Sequence, residues 1–454
     1  MVSALKKIAN KIGLDKAILF TSSTSIIGAI GGMGSIILVV KYLTGFEQGF
    51  YYTFGSIAAI QVFFELGLNN IITQYVAHEN SNLKWENDIQ FTGEAKFKSR
   101  LSSLLHFSVK WYSSFALLLL FFLVVFGVFF FKKFDTSSGS VSWEIPWVIL
   151  SVGTAFNLII SPFVAFIQGL GKVKEIAKIQ FNIQIVRIAI VWAGLAFGGS
   201  LYVVGLSSVF SALLLVLIIF SKYKKVLTII WKTEIIEKVH YRKEIFPYQW
   251  KIALSWISGY FIFQLFNPVL FATDGAIVAG QMGMTLAVLN GILALSFTWM
   301  TTKVPLFSGL IAQKRYPELD RIFNLTLKQS VFINISALLF MFLIIFIIRS
   351  NNIQINGKLL GLRFLNYIPL IFMMIPAFLN QFTASWAIYL RCHKEEPYLI
   401  NSIVGGILCT FSTIFLGKYF GVIGITSGYC ALSILMFPWG HRIFKIKKHE
   451  WHIK

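Results

Sequence analysis

The chain has 454 residues, of which 56% are hydrophobic and only 13% are charged, and its mean hydropathy is +0.73. Soluble domains carry about 25% charged residues, so this composition excludes an ordinary soluble protein and is typical of a membrane protein. The formal net charge of +21 would favour nucleic-acid binding in a soluble chain. Here the basic residues lie between apolar segments, so we predict no nucleic-acid partner.

Apolar segments long enough to cross a bilayer recur along the whole chain and leave no room for a separate soluble domain. We therefore predict an all-α polytopic membrane protein of about twelve spans, at residues 17–40, 49–75, 111–131, 143–170, 176–197, 201–220, 252–272, 276–302, 327–348, 364–390, 398–416 and 422–439. A basic amphipathic lead containing Lys6, Lys7, Lys11 and Lys16 precedes the first span. That span is too long for a signal-peptide core, so we expect it to be retained.

Lysine and arginine are distributed unequally between the loops. An even number of spans places both termini on one side of the membrane, and most of the 40 basic residues lie in segments on that side, here called the basic side. The positive-inside rule predicts that the basic side is cytoplasmic.

A strongly basic connector at residues 231–251 separates six spans from six. We predict an N-terminal six-helix bundle at residues 1–230 and a C-terminal six-helix bundle at residues 252–454. Both halves would share one orientation, so the two bundles are expected to be related by a pseudo-two-fold axis along the membrane normal.

The second span carries polar residues at helical spacing. Gln61, Glu65, Asn69 and Thr73 follow one another every four residues and predict one polar line along a continuous helix. A carboxylate inside a spanning helix costs several kcal/mol unless it faces protein or water. We therefore expect this face to meet a partner helix or a water-filled cavity.

A second polar line is predicted in the fifth span, where Gln180, Gln184 and Arg187 share one helix face. Arg187 comes out at about the same depth as Glu65. Two interpretations stay open: the two charges neutralise each other inside the first bundle, or one or both line a central cavity, with Arg187 meeting an anionic substrate and Glu65 exchanging a proton or cation.

The second half of the chain offers weaker candidates for a cavity wall. Aromatic and amide side chains suit a sugar or a lipid headgroup, although they also suit simple helix packing. The candidates are Trp256, Tyr260, Gln264 and Asn267 in the seventh span, and Asn290 and Lys303 in or after the eighth.

Enzymatic chemistry is not indicated. Carboxylates outside the membrane are scattered, the histidines form no zinc-binding pair, and no phosphate-binding GxxxxGK[ST] loop occurs. We predict no catalytic residue, no metal and no cofactor; coupling of transport to H⁺ or Na⁺ stays open.

Several segments resemble the polysaccharide flippases (Wzx-type, O-antigen flippases) of the multidrug/oligosaccharidyl-lipid/polysaccharide exporter superfamily. The segments are LTGFEQGFYYTF, QVFFELGL (Gln61 to Leu68), ITQYVAHE (Ile72 to Glu79), GQMGMTLAV (Gly280 to Val288) and TWMTTKVPLFSGLIA (Thr298 to Ala312). With the twelve-span plan, the resemblance extends over nearly the whole chain.

The resemblance implies two six-helix bundles around a V-shaped cavity, with Gln61, Glu65 and Asn290 near it. It also implies a bacterial inner-membrane flippase that moves an undecaprenyl-pyrophosphate-linked oligosaccharide by alternating access. Expected partners are this lipid-linked substrate, membrane lipids, a polysaccharide polymerase and a chain-length regulator.

The chain departs from two other branches of that superfamily. Peptidoglycan-precursor flippases carry several arginines in their early spans, and the first span here has none. Multidrug antiporters usually keep an acidic residue in the first span, which here has no acid. A cation-coupled multidrug or metabolite antiporter is the alternative function, and a membrane-embedded transferase is disfavoured because no large outer loop is present.

Overall fold

The computed structural model describes residues 16–86, 90–393 and 395–453, and in them the chain is almost entirely helical. Lys6, Lys7 and Lys11 of the predicted basic lead lie outside the described residues. The helices of the first half are α1 Lys16–Tyr42, α2 Gly45–Ala58, α3 Val62–Glu65, α4 Leu68–Asn80, α5 Ala95–Phe134, α6 Glu144–Gly169, α7 Val173–Ala196 and α8 Tyr202–Lys232. Those of the second half are α9 Phe246–Phe263, α10 Phe266–Thr273, α11 Ala276–Thr301, α12 Val304–Ala312, α13 Tyr316–Ser350, α14 Tyr367–Arg391 and α15 Leu399–Ile453.

The remaining regular structure is short. A 3₁₀ turn at Ala59–Gln61 joins α2 to α3, a second 3₁₀ turn spans Leu360–Arg363, and a π-helical turn spans Tyr241–Ile245. Two antiparallel hairpins pair β1 Leu83–Trp85 with β2 Phe91–Gly93, and β3 Gln354–Ile355 with β4 Lys358–Leu359.

Nine helices in the described part of the chain are long and apolar enough to cross a membrane, and a tenth span is formed if the bent pair α2–α3 and α4 is taken together. The helix α15 contains a non-helical residue, Gly421, so the predicted eleventh and twelfth spans follow each other across a kink. The all-α polytopic prediction is therefore confirmed. The helix that contains the predicted third span is longer than that span, because α5 begins at Ala95, about four turns earlier on the basic side.

The chain forms two compact units. Unit 1 comprises Met1–Ser56, Phe134–Val141 and Phe261–Lys454, and unit 2 comprises Ile57–Lys133 and Ser142–Tyr260. The chain thus passes from one unit to the other four times: within the second span, within the seventh span, and on each side of Phe134–Val141. The division into bundles at 1–230 and 252–454 stays a prediction from the sequence.

Unit 1 has an aromatic core at the basic-side ends of its helices. Phe307, Phe323, Trp386, Tyr389 and Phe444 are almost completely buried and pack against each other from four helices. Burying aromatic side chains of this size stabilises a unit by roughly 2 kcal/mol each.

Unit 2 is organised around Trp147 of α6. Its indole is fully buried and donates a hydrogen bond to the carbonyl oxygen of Leu123 at 2.9 Å. A Cβ atom at Gly127 would lie 2.2 Å from this ring, so only glycine allows α5 and α6 to approach so closely. The opposite face of α5 exposes Leu117, Leu118 and Phe121, as expected for a surface in contact with lipid.

Candidate functional site

The second span is broken, and the break follows Glu65 directly. Leu66 and Gly67 both adopt left-handed backbone conformations, with φ of 50° and 66°, and α4 begins again at Leu68. The two halves of the span are bent by 41°. The prediction of one polar line on a continuous helix was therefore wrong. Gly67 has both the required φ and a close neighbour, because a Cβ atom there would lie 2.4 Å from Cγ2 of Ile252.

Glu65 is half-buried at this break and has a polar partner. The Nδ2 atom of Asn69, in the first turn of α4, donates a hydrogen bond to Oε1 of Glu65 at 2.6 Å. The start of a helix also favours a nearby negative charge, because its first N–H groups have no intrahelical acceptor. Tyr112 of α5 is fully buried and interacts electrostatically with the carboxylate. The arrangement can therefore hold a carboxylate that exchanges a proton or a cation.

Thr73, the last residue of the predicted polar line, takes part in the packing of α4 against α6. The hydroxyl of Thr73 donates to the carbonyl oxygen of Asn69 and to that of Ala165 in α6, each at 3.0 Å. A Cβ atom at Gly169 would meet the Val76 side chain at 2.6 Å. This part of α4 is thus packed tightly against α6. Gln61, at the end of the 3₁₀ turn, is half-buried.

Arg187 and Glu65 both belong to unit 2, but the structure does not bring them together. Neither has an ion pair with the other in the described part of the chain. Arg187 and Gln180 are exposed on α7, Gln184 is half-buried, and Nε of Arg187 lies 3.5 Å from the hydroxyl oxygen of Ser211. The interpretation as a neutralising pair therefore has no support in this structure, and the polar line on α7 lies on a surface of unit 2.

The seventh span is also broken, at Gln264 and Leu265, between α9 and α10. Tyr260 is buried in unit 2, where its ring meets that of Phe63 edge-on with centroids 5.1 Å apart. Asn267 is buried in unit 1 and donates a hydrogen bond to the hydroxyl of Ser56 at 3.0 Å. The predicted common face of these residues is therefore divided by the break.

The two candidates of the eighth span lie in different surroundings. Asn290 is exposed on α11. Lys303 is half-buried at the interruption between α11 and α12, where its carbonyl oxygen accepts the N–H of Phe307 at 2.9 Å. Their proposed role in substrate binding stays a prediction.

A buried glutamine in unit 1, missed by the sequence analysis, closes the end of α2 opposite the basic side. Gln48 is 1% exposed, and its Nε2 donates to the carbonyl oxygens of Gly280 at 2.8 Å and of Arg363 at 3.1 Å. Arg363 in turn donates to Oε1 of Gln48 at 3.2 Å and to the carbonyl oxygen of Leu43 at 2.8 Å. Lys358 donates to that same Leu43 oxygen at 2.9 Å. Two cations thus bind the end of α1.

Glycines allow this closure. A Cβ atom at Gly49 would lie 1.9 Å from the carbonyl oxygen of Ala276, and one at Gly280 would lie 2.9 Å from the backbone nitrogen of Gly49. One turn further along α11, a Cβ atom at Gly283 would meet the Tyr52 side chain at 2.2 Å. The helices α2 and α11 therefore touch backbone to backbone. Gly49 directly after Gln48, together with Gly280 and Gly283, was the available sequence signal.

The following residues, named here the inner ion cluster, hold the basic-side end of unit 2: Glu79, Arg100, Glu237 and Glu244. Nε of Arg100 lies 2.9 Å from Oε1 of Glu79, Nη2 lies 2.6 Å from Oε2 of Glu244, and Nη1 lies 3.6 Å from Oε1 of Glu237. Glu79 is 1% exposed. Burial alone would raise the pKa of Glu244, but the Arg100 guanidinium and the His240 backbone amide hold that pKa below its ordinary value.

Hydroxyl groups attach the connector beside the inner ion cluster. Ser99 donates to the carbonyl oxygen of Glu237 at 3.0 Å, and Ser102 donates to that of Thr233 at 2.9 Å. The N–H of Val239 donates to the hydroxyl of Ser103 at 3.2 Å. The basic connector is therefore docked along α5 and is not a free linker.

No metal site is present in residues 16–86, 90–393 and 395–453. No three His, Cys, Asp or Glu side chains there, including those of the inner ion cluster, are placed so that they could hold a metal ion.

No known family model matches the sequence, and no curated protein matches it. Solved structures do match. A multidrug resistance MATE family transporter of the MOP superfamily, in an inward-facing conformation, is 15% identical with a TM-score of 0.58, over 93% of this chain and 99% of that one. The lipid II flippase MurJ, in an inward closed conformation, is 14% identical with a TM-score of 0.56, over 96% of this chain and 91% of that one.

A variant of the Vibrio cholerae MATE transporter VcmN is 9% identical with a TM-score of 0.59, over 97% and 98% of the two chains. At identities this low, the likeness shows the fold alone. The chain has the fold of the MOP-superfamily transporters, about twelve helices in two bundles, as the sequence predicted.

Proposed function

We propose that the protein is a flippase that moves an undecaprenyl-pyrophosphate-linked oligosaccharide, an O-antigen or related repeat unit, from the cytoplasmic to the periplasmic leaflet of a bacterial inner membrane. The observation that carries the proposal is the position of one half-buried acid: Glu65 lies at a break in the second span, while residues 17–40 of the first span contain no acid. The fold shared with a lipid II flippase supports a lipid-linked substrate.

The two broken spans support alternating access as the mechanism of the proposed flippase. Hinges are a few residues at element ends that absorb changes in φ and ψ. The breaks at Leu66-Gly67 and at Gln264-Leu265 are such positions, and both support this part of the proposal. With the basic side in the cytoplasm, as the positive-inside rule predicts, substrate would enter from the cytoplasmic leaflet.

Further parts of the proposal concern location and partners. Both termini would be cytoplasmic, and a polysaccharide polymerase and a chain-length regulator would act on the translocated repeat unit. No cofactor is proposed, and Glu65 is the residue through which an H⁺ or Na⁺ gradient would act. Fusions of a reporter that works only in the cytoplasm test the orientation, with activity expected at both ends of the chain.

A deletion strain tests the function directly. Undecaprenyl-linked repeat units should accumulate on the inner leaflet, and plasmid-borne parent protein should restore surface polysaccharide. Glu65→Gln should fail to restore it although it is present in the membrane. The matched control is Glu144→Gln, which removes an exposed glutamate from the start of α6 and should restore it fully. Normal polysaccharide in the deletion strain would refute the proposal.

A cation-coupled multidrug or metabolite antiporter is the second candidate, because two of the similar structures are described as MATE transporters. It predicts new drug sensitivity in the deletion strain with normal surface polysaccharide. The same strain therefore distinguishes the two functions.

A further inference from the structure

A basic groove lies on the surface of unit 2, at the basic-side ends of α7 and α8. Its volume is about 470 Å³, within the range of small-molecule sites. The residues that line it are Lys174, Glu175, Lys178, Ile179, Asn182, Ile218 and Lys222. None of them belongs to the predicted polar lines or to the inner ion cluster.

The groove carries positive charge that the described residues do not neutralise. Lys174, Lys178 and Lys222 are exposed, and none has an ion pair in the described part of the chain. Glu175 is the one acid in the lining, against three lysines, so the lining keeps an excess of positive charge. Its carboxylate accepts a hydrogen bond from the Tyr223 hydroxyl at 2.6 Å and lies 3.7 Å from Nζ of Lys172. The groove therefore has the electrostatics of an anion site.

Apolar side chains lie in the groove and further along α8. Ile179 and Ile218 form part of the lining, and further along α8 the exposed side chains are Phe210, Leu213 and Leu217. Lys174 and Lys178 are one turn apart on α7, about 6 Å along the axis. A ligand that fits has a compact anionic head and an apolar chain lying in the membrane.

We infer that this groove binds the phosphate groups of a polyprenyl diphosphate lipid and holds the cargo at the basic-side surface before translocation. Ammonium groups bind phosphate as point charges, and basic pockets between helices on the cytoplasmic side are typical sites for phosphate headgroups. The identity of the cargo rests on the proposed function. The chain then has a place for the pyrophosphate although its first span lacks arginine.

Binding of farnesyl diphosphate to the purified full-length protein tests the inference. Replacing Lys174, Lys178 and Lys222 together by glutamine should raise the dissociation constant at least tenfold. Each basic side chain near a membrane surface changes the affinity for an anionic lipid about fivefold. The matched control replaces Lys224, Lys225 and Lys232, which are exposed on the same helix α8 outside the groove, and should change it less than twofold. The Lys→Arg triple variant keeps the charge and should bind within threefold of the parent.

Two results would overturn the inference. One is unchanged binding by the glutamine triple variant. The other is displacement of farnesyl diphosphate by phosphatidylglycerol at equal concentration, because the groove would then hold ordinary anionic lipid and not the cargo. The deletion strain tests the function separately. If only the inference fails, the strain lacks surface polysaccharide and the groove does not bind farnesyl diphosphate. If only the proposed function fails, the groove binds farnesyl diphosphate and the strain has normal surface polysaccharide.

Discussion

The two halves of the second span are held in place by different kinds of interaction. The half opposite the basic side, α2, touches α11 backbone to backbone and is held by the hydrogen bonds of Gln48, a neutral side chain. The half at the basic side, α4, ends in the inner ion cluster through Glu79. Close backbone packing therefore holds α2, and ion pairs hold the end of α4. Changes of side-chain volume and changes of charge should act selectively on the two.

The largest effect is expected from neutralising the inner ion cluster. Arg100→Gln leaves Glu79 buried without its partner, and breaking a buried pair by removing one member costs about 3–5 kcal/mol. We expect the free energy of unfolding in detergent to fall by that amount. Protease cleavage within 231–251 should accelerate.

Arg391→Gln is the control, because the Arg391–Glu396 pair is exposed and should contribute less than about 1 kcal/mol. Equal losses for the two arginine variants would show that the inner ion cluster does not hold the connector.

Added volume should break the other half. Gly49→Ala places a methyl group against the carbonyl oxygen of Ala276, and overpacking of this kind costs about 3 kcal/mol. Polysaccharide export should fall strongly because α2 and α11 can no longer pack together. Gly55→Ala on the same helix meets nothing within 4 Å and should be tolerated. A Gly49→Ala protein as stable and active as Gly55→Ala would contradict the contact.

The hydrogen bonds of Gln48 should have a smaller effect. Gln48→Leu leaves the buried carbonyl oxygens of Gly280 and Arg363 without their donor and should cost about 2 kcal/mol. The control is Gln281→Leu, since Gln281 donates to the carbonyl oxygen of Leu362 at a more exposed place. Denaturation in detergent measures the stability of both variants. A larger loss of stability for Gln281→Leu than for Gln48→Leu would contradict the importance given to the Gln48 hydrogen bonds.

Acidification should remove only a small part of the stability of unit 2. The pKa of Glu244 in the folded protein is below the ordinary value of 4.5, so its contribution is present at neutral pH and is lost as the pH falls through that lowered pKa. The melting temperature of the parent should exceed that of Glu244→Gln at pH 7, and the difference should disappear once the pH is below the lowered pKa of Glu244. A constant difference across this range would exclude the charge of Glu244 as its source.

The sequence predicted the membrane-spanning helices well because the thickness of the bilayer sets their length and hydrophobicity. It also located Glu65 and its neighbour Asn69, since residues four apart remain close even beside the break. It missed the break itself, because an i, i+4 pattern assumes a continuous helix and a single glycine at position 67 is a weak signal.

Partners distant in the sequence were beyond the same reasoning. Gln48 and Arg363 are 315 residues apart, and Arg100 and Glu244 are 144 residues apart. The spacing of residues within one helix carries no information about such pairs. The charged groove was missed for a related reason: Lys174, Lys178 and Lys222 were assigned only to the orientation of the chain, and their grouping depends on the packing of α7 against α8.

The central claim is that Glu65 drives movement of a lipid-linked sugar between leaflets. The most direct measurement reconstitutes the purified protein in liposomes with a fluorescent undecaprenyl-diphosphate-linked sugar and follows its appearance in the outer leaflet with a membrane-impermeant quencher. We predict rapid exchange with the parent and with Glu144→Gln, and at least a tenfold slower exchange with Glu65→Gln. Exchange by the parent no faster than in protein-free liposomes, or equal rates for the parent and Glu65→Gln, would contradict it.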